Sequence, residues 1–402
     1  MRCFSFPRVR LALAWLLALW ATWAVAQPAA EPSALVPEGV VFHCAPAQRA
    51  GLARAMAGYL RGLDVDRDWI VQTEWPDGAL SFTLDRAGRS TLDLHQDRRY
   101  RLRPVPVYLP RAQGRPRAVR TVSQREIVLA LAHPGRAHHF GGPACDLQAL
   151  REHVALRQHI VAWAEELHWV WPDGGPACWN PKKWLKGVPI VPLDEALLDA
   201  FVRQADYAIG CYTACKLVYA HGVLDYYARV RQDPAQAALV RQRLLHDGDP
   251  LVDVEPAAAW DFEAGFDPAT RHDPGKLLRL ERGAPAHHFV PGDWAYFLNT
   301  DPASYEKTGY EGSNAIYLGR GRFDDFYDDH HHAYTFAEKL DEVYQWRHGV
   351  FSRSRDAALV RPLTPADLDR LSQTPAQGGL LLDWRLVPYL FGYEALPALP
   401  VR

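Results

Sequence analysis

The chain has 402 residues, 48% of them hydrophobic and 14 of them tryptophan, so it can fill a large core and is not disordered over most of its length. Formal net charge is −2, or −5 once the three arginines of the first segment are set aside, which offers nothing to nucleic acid. Its length allows two domains.

Arg2, Arg8 and Arg10 precede an apolar run from Leu11 to Trp23, and Ala24-Val25-Ala26 follows as a small-x-small site. A basic start, a short apolar run and a small-residue site describe a secretory signal peptide over residues 1–26. The expectation is an exported protein, periplasmic or extracellular, with no membrane association after cleavage. Cys3 would leave with the signal, and Cys44, Cys145, Cys178, Cys211 and Cys215 would remain. An odd number of cysteines in an oxidising compartment leaves at least one free thiol. Cys44 with Cys145 is the expected disulfide, and Cys178 with Cys215 a weaker second pairing.

Residues 27–37 are rich in Ala and Pro and read as a linker. Leu52, Met56, Tyr59, Leu60 and Leu63 recur at helical spacing within Ala47–Leu63. Trp69–Trp75, the turn Pro76-Asp77-Gly78 and Ala79–Asp85 predict a hairpin, with Ser90–His95 as a third strand. Glu126–Ala132 is a further strand candidate. His138-His139 reads as a surface loop. A long amphipathic helix is expected over Cys145–Trp171, ended by Pro172-Asp-Gly-Gly-Pro176.

The three prolines of Trp179–Pro192 suggest an inter-domain connection. Helices are expected at Leu193–Ala205 and Tyr207–Val230, and strands at Trp294–Leu298, Asn314–Leu318 and His330–Phe336. A helix follows over Phe336–Trp346. Thr364-Pro365-Ala366-Asp367 starts another, with a hydroxyl cap, Pro at the first position and an acid at the third. The expected fold is α+β: an N-terminal α+β domain (27–180), a papain-like, NlpC-type cysteine-enzyme domain (193–355) and a C-terminal helical extension (356–402).

Cys211 opens the apolar helix. A thiol there sits at the positive end of the backbone dipole, which favours the thiolate and lowers the expected pKa from ~8.5 into the range ~3.5–7.5. Cys215, one turn later, reads as a buried helix residue. A cysteine helix followed by antiparallel strands that carry histidine is the papain-like order, in which distant groups meet at the helix N-terminus.

Three blocks now stand in sequence: Tyr207-Ala-x-x-Cys211-x-Thr213-Ala214; His287-His288-Phe289-x-x-Gly292-Asp293-x-x-Tyr296-Phe297-x-Asn299; and Gly312-x-Asn314-x-Ile316-x-Leu318-Gly319. Together, over about residues 200–345, the chain resembles the bacterial spore-type protein-glutamine γ-glutamyltransferases. That resemblance implies a cysteine nucleophile at Cys211. The thiolate would attack the side-chain amide of a protein glutamine, release ammonia, and pass the acyl group from the thioester to a lysine or other amine. It also implies protein or peptide substrates and a water-poor channel, for which Trp294, Tyr296, Phe297, Tyr305 and Tyr310 are candidates.

The family's Gly-Glu-Asn strand has its acid where this chain has Ser313, so the resemblance leaves that role unfilled. Glu311, on the same face if the strand is regular, and Asn314 are the fallback polar partners. Matching the downstream helix to the family favours His330 as the partner of the cysteine, with His331 and His332 facing solvent or filling the sheet. His287 and His288 match the family block, with positioning of the next strand as their plainer role. A metal held by Asp328, Asp329 and the three histidines is disfavoured, because adjacent strand residues diverge. No loop resembles a calcium or phosphate site, and no cofactor is expected.

Two other readings compete. Gly292-Asp293-Trp-Ala-Tyr-Phe and Ala315–Gly319 also resemble NlpC-type cell-wall peptidases, in which water replaces the amine and a histidine commonly stands where this chain has Asn314. A binding module that kept the fold and lost the acid is the third.

Overall fold

A computed structural model of the chain describes residues 36–111, 114–141, 146–172, 177–185, 187–245, 279–281, 283–299, 301, 304, 311–327, 333–350, 358–373 and 379–386. The first strand, β1 (Gly39–His43), leads into α1 (Pro46–Gly62), whose start carries Pro in its first turn and whose buried stripe is Leu52, Met56, Tyr59 and Leu60. The hairpin expected around Pro76-Asp77-Gly78 forms as β2 (Ile70–Glu74) and β3 (Leu80–Leu84).

Two segments read as strands are helical instead. Ser90 caps a 3₁₀ turn at Thr91–Gln96, its hydroxyl accepting from the Leu92 N–H. Ser123 likewise caps α2 (Gln124–Leu131), accepting from the Glu126 N–H, so the apolar run at Glu126–Ala132 winds into a helix buried on nearly every side. Between these lie β4 (Val105–Leu109) and β5 (Arg117–Thr121), an antiparallel pair not foreseen from the sequence. His138-His139 falls in β6 (Ala137–Gly141), which runs parallel to β1; His138 is buried and His139 exposed, so the pair is strand, not loop. The sheet order is β2-β3-β1-β6.

The long helix is shorter than expected. α3 (Leu147–Ala164) starts at the Asp146 cap and ends well before Trp171. Trp169 and Val170 then bridge to Tyr327 and Ala208 as extended chain. Short strands β7 (Trp184–Leu185) and β8 (Val188–Pro189) precede α4 (Leu193–Val202), and α5 (Cys211–Asp225) follows. Every residue of α5 from Tyr212 to Leu224 is buried, which marks it as the central helix. Gly222 lets α3 approach closely, since a Cβ there would lie 2.8 Å from an Ile160 side-chain carbon. A π-helical turn, Tyr226–Val230, and α6 (Pro234–Leu245) end this layer.

The second sheet is antiparallel. It contains β9 (Arg279–Glu281), β10 (Trp294–Leu298), β11 (Gly312–Gly319), β12 (Arg322–Asp324), β13 (Ala333–Thr335) and, from the C-terminal stretch, β14 (Leu381–Leu386). Its order is β13-β12-β11-β10-β14-β9. The stretch 356–402, read as helical, thus supplies a central strand as well as a helix: β14 pairs with β10 from Leu381 to Arg385. The helices are α7 (Phe336–Arg347), with Thr335 and Glu338 forming a reciprocal cap, and α8 (Pro365–Leu371), started by Thr364 as expected.

Period-two alternation gives the sheet two different faces. Trp294, Ile316 and Leu318 join the core built by α3 and α5, whereas Ala295, Phe297, Ala315 and Tyr317 pack with Leu340, Val343 and Trp346 of α7. The sheet therefore lies between the cysteine helix and α7, an α+β arrangement as expected. Pro37–Arg402 forms one compact unit. The buried ion pair between Arg157 of α3 and Asp293, 2.9 Å apart, joins the two halves of the chain. Among the described residues no helix is long and apolar enough to cross a membrane.

Candidate active site

Cys211 is the first residue of α5. Gly210 occupies the cap position and contributes no side-chain hydrogen bond, so the first-turn N–H groups are not consumed by a capping side chain. The residue is half-buried. The sulfur faces the open edge of β11. Asn314 pairs with Tyr296 of β10 on one side, and among the described residues β12 pairs with β11 at Tyr317 and Gly319 but not at Asn314 on the other. The backbone N–H of Asn314 donates to the sulfur across 3.3 Å, and its side-chain Nδ2 lies 3.7 Å away. The other end of that amide accepts from Trp294 Nε1 at 2.9 Å, which fixes its orientation.

Gly312 is required where β11 begins, since a Cβ would lie 2.4 Å from the Tyr296 ring and 2.7 Å from the Phe297 carbonyl oxygen. Ser313, pointing to the opposite face from Asn314, accepts from Lys339 Nζ at 2.6 Å. The same ammonium donates to Glu342 Oε2 at 2.6 Å and lies over the Tyr334 ring, 4.7 Å from its centroid. Lys339 and Glu342 are 2% and 9% exposed, so this ion pair is buried. A narrow cleft of about 10 Å³, about enough for one water, joins the two sides. Cys211, Asn314, Ser313, Lys339 and Glu342 line it, together with Asp325, Phe326, Tyr327, Trp171 and Trp346.

The electrostatics differ from the dipole argument alone. Burial pushes the Cys211 thiol above its ordinary value, while the Asn314 N–H and the Lys339 charge pull it back down. Desolvation is the largest of these influences, so the net shift is upward, against the direction of the helix dipole. Asp324, next to the cleft, is held well above the usual carboxylate range by burial, with the neighbouring Asp325 charge acting in the same direction.

Of the sequence-chosen residues, the structure brings Cys211 and Asn314 together. Glu311 precedes β11 and is not among the residues lining the cleft; its carbonyl accepts from the Asn299 N–H at 2.9 Å. His330, His331, His332, Asp328 and Asp329 lie outside the described residues, as do Tyr305 and Tyr310. Among the described residues no group of three or more His, Cys, Asp or Glu could hold a metal ion. The aromatic walls are Trp171, Phe326, Tyr327 and Trp346, whereas Trp294 and Phe297 are core. The main-chain carbonyls of His287 and His288 accept from Thr91 and Arg136, respectively.

Lys339 and Glu342 were missed. In the sequence they are two charges three residues apart beside Leu340, Val343 and Trp346, a spacing that by itself reads as an ordinary helix ion pair. Neither Cys178 nor Cys215 is in a disulfide, so the second expected pairing does not form. Cys44 is disulfide-bonded, and Cys145, its expected partner, lies outside the described residues.

Fold and site together define an α+β protein with a cysteine at a helix N-terminus set against a strand N–H. The family model described as protein-glutamine gamma-glutamyltransferase matches residues 174–330, so the resemblance carried by the three motifs is present over that span. Among solved structures the chain is similar to a transglutaminase from Geobacillus stearothermophilus (without C-terminal extension), at 20% identity, covering 62% of this chain and 99% of that chain with a TM-score of 0.34. No curated protein matches it.

Proposed function

We propose that the chain is a glutamine acyltransferase that uses Cys211 as nucleophile. The observation that carries this reading is the sulfur at the α5 N-terminus receiving the Asn314 N–H at 3.3 Å, within a span that the transglutaminase family model matches. In the first step the sulfur bonds to the carboxamide carbon of a glutamine side chain, the C–N bond breaks, and ammonia leaves with the thiol proton. In the second, an amine attacks the thioester, the C–S bond breaks, and the thiol is restored. The developing oxyanion would be met by N–H groups of the first α5 turn, which no capping side chain occupies. His330 is our choice of proton carrier, as the family resemblance implies. The aromatic walls around Cys211 support a water-poor site that favours amine over water.

The signal-like start and the disulfide-bonded Cys44 support an exported enzyme. The test is incorporation of a fluorescent primary amine into a glutamine-containing protein. We expect transfer by the wild type and none by Cys211→Ala. Opening of γ-D-glutamyl peptide bonds without amine incorporation would overturn the reading.

A further inference from the structure

We propose that Lys339, locked between Ser313 and Glu342, is the positioning residue that supports the Cys211 thiolate electrostatically from the far side of β11, at the position where the resembled family carries its acid. This rests on the acyltransferase reading for its purpose, although not for its test.

The geometry carries the assignment. A lysine that is 2% exposed pays a large desolvation penalty unless its donors are used, and here two contacts of 2.6 Å and an aromatic face use them. Ser313 is small enough to leave room for the ammonium, and its hydroxyl accepts from it. A carboxylate cannot share this space with Glu342 without setting two acids against one lysine. The cleft that exposes Ser313, Lys339 and Glu342 is the same one that exposes Cys211. A positive charge fixed there favours the thiolate over the thiol, and Glu342 opposes it with the weaker influence, the order seen in what moves the thiol.

Among the described residues, the other charged or titratable groups near this centre are Asp324 at the end of β12 and Asp325 after it, Tyr327 on the cleft wall, Tyr334 under the ammonium, and Tyr212 and Lys216 on α5. Lys216 sits over the Tyr212 ring at 4.6 Å.

The experiment measures the pH profile of iodoacetamide alkylation at Cys211, followed by peptide mass so that Cys178 does not contribute. Lys339→Met should raise the midpoint by about one pH unit, slowing alkylation at neutral pH about tenfold. Lys339→Arg should restore it, and Glu342→Gln should lower it. Shifts of opposite sign are not expected of residues that merely hold the fold. Since Lys339→Met also removes the ammonium from buried Glu342, the double variant Lys339→Met/Glu342→Gln is compared with Glu342→Gln alone, and should again have the higher midpoint by about one unit. Equal midpoints in that comparison overturn the proposal. Alkylation reads the thiol directly, so absence of amine transfer in the wild type would sink the acyltransferase reading and leave this result standing.

Discussion

The backbone N–H of Asn314 points at the Cys211 sulfur across 3.3 Å, while its side-chain oxygen is held by the Trp294 indole at 2.9 Å. One strand residue therefore serves the nucleophile with its main chain and the core with its side chain. Asn314→Ala should keep the main-chain contact and remove the 2.9 Å acceptor of the buried indole, costing about 1–3 kcal/mol of stability. The expected result is a lowered melting temperature with cysteine alkylation reduced less than tenfold. Complete loss of alkylation in a folded variant would show that the side chain, not the N–H, serves the sulfur.

Burial raises the Cys211 thiol, whereas Cys178 is exposed and Cys215 is fully buried. In the native protein Cys178 should therefore alkylate first, Cys211 more slowly and with a rate still climbing above pH ~8.5, and Cys215 only after unfolding. Time-resolved peptide mass mapping at several pH values checks the order. Labelling of Cys211 that is already maximal at pH 6 would mean that the helix dipole dominates after all.

The cysteine helix and the two strands facing it were legible because their signals are local. Cys211 heads an apolar run, and Trp294–Leu298 and Asn314–Leu318 are short apolar segments flanked by turn residues. The misread segments show where local signals compete. Glu126–Ala132 is as apolar as a strand, and the Ser123 cap together with the Leu and Ala residues of its second half favours helix. The strand Leu381–Leu386 was invisible because its partner β10 lies more than eighty residues away in sequence. Of the site, Cys211 and Asn314 could be read from motifs. Lys339 and Glu342 could not, since their meaning depends on α7 packing against the face of β11 that carries Ser313.

Asp293, 2% exposed, accepts from both Arg136 and Arg157 and from the Val290 N–H at 2.9 Å. The two guanidiniums hold its carboxyl below the usual carboxylate range despite burial. Asp293→Asn removes the charge that half-buried Arg136 and fully buried Arg157 share, and should cost about 3–5 kcal/mol. Thermal or urea unfolding measures it. A change under about 1 kcal/mol would show that the arginines find other partners.

Glu126 sits at 3% exposure, accepting from the Arg320 N–H, and burial raises its carboxyl from 4.5 to about 7. Its protonated form is the one the fold prefers. The stability linked to it is fully present below the unfolded value of 4.5 and is lost as pH rises through about 7, for a total of about 3 kcal/mol. Glu126→Gln keeps the acceptor oxygen and removes the charge. It should leave stability unchanged near pH 4, where urea unfolding of wild type and variant should coincide, and raise it by about 1–3 kcal/mol at pH 8. If the variant is instead less stable at pH 8, Glu126 is ionised in the fold and Arg320 supports its charge more strongly than burial opposes it.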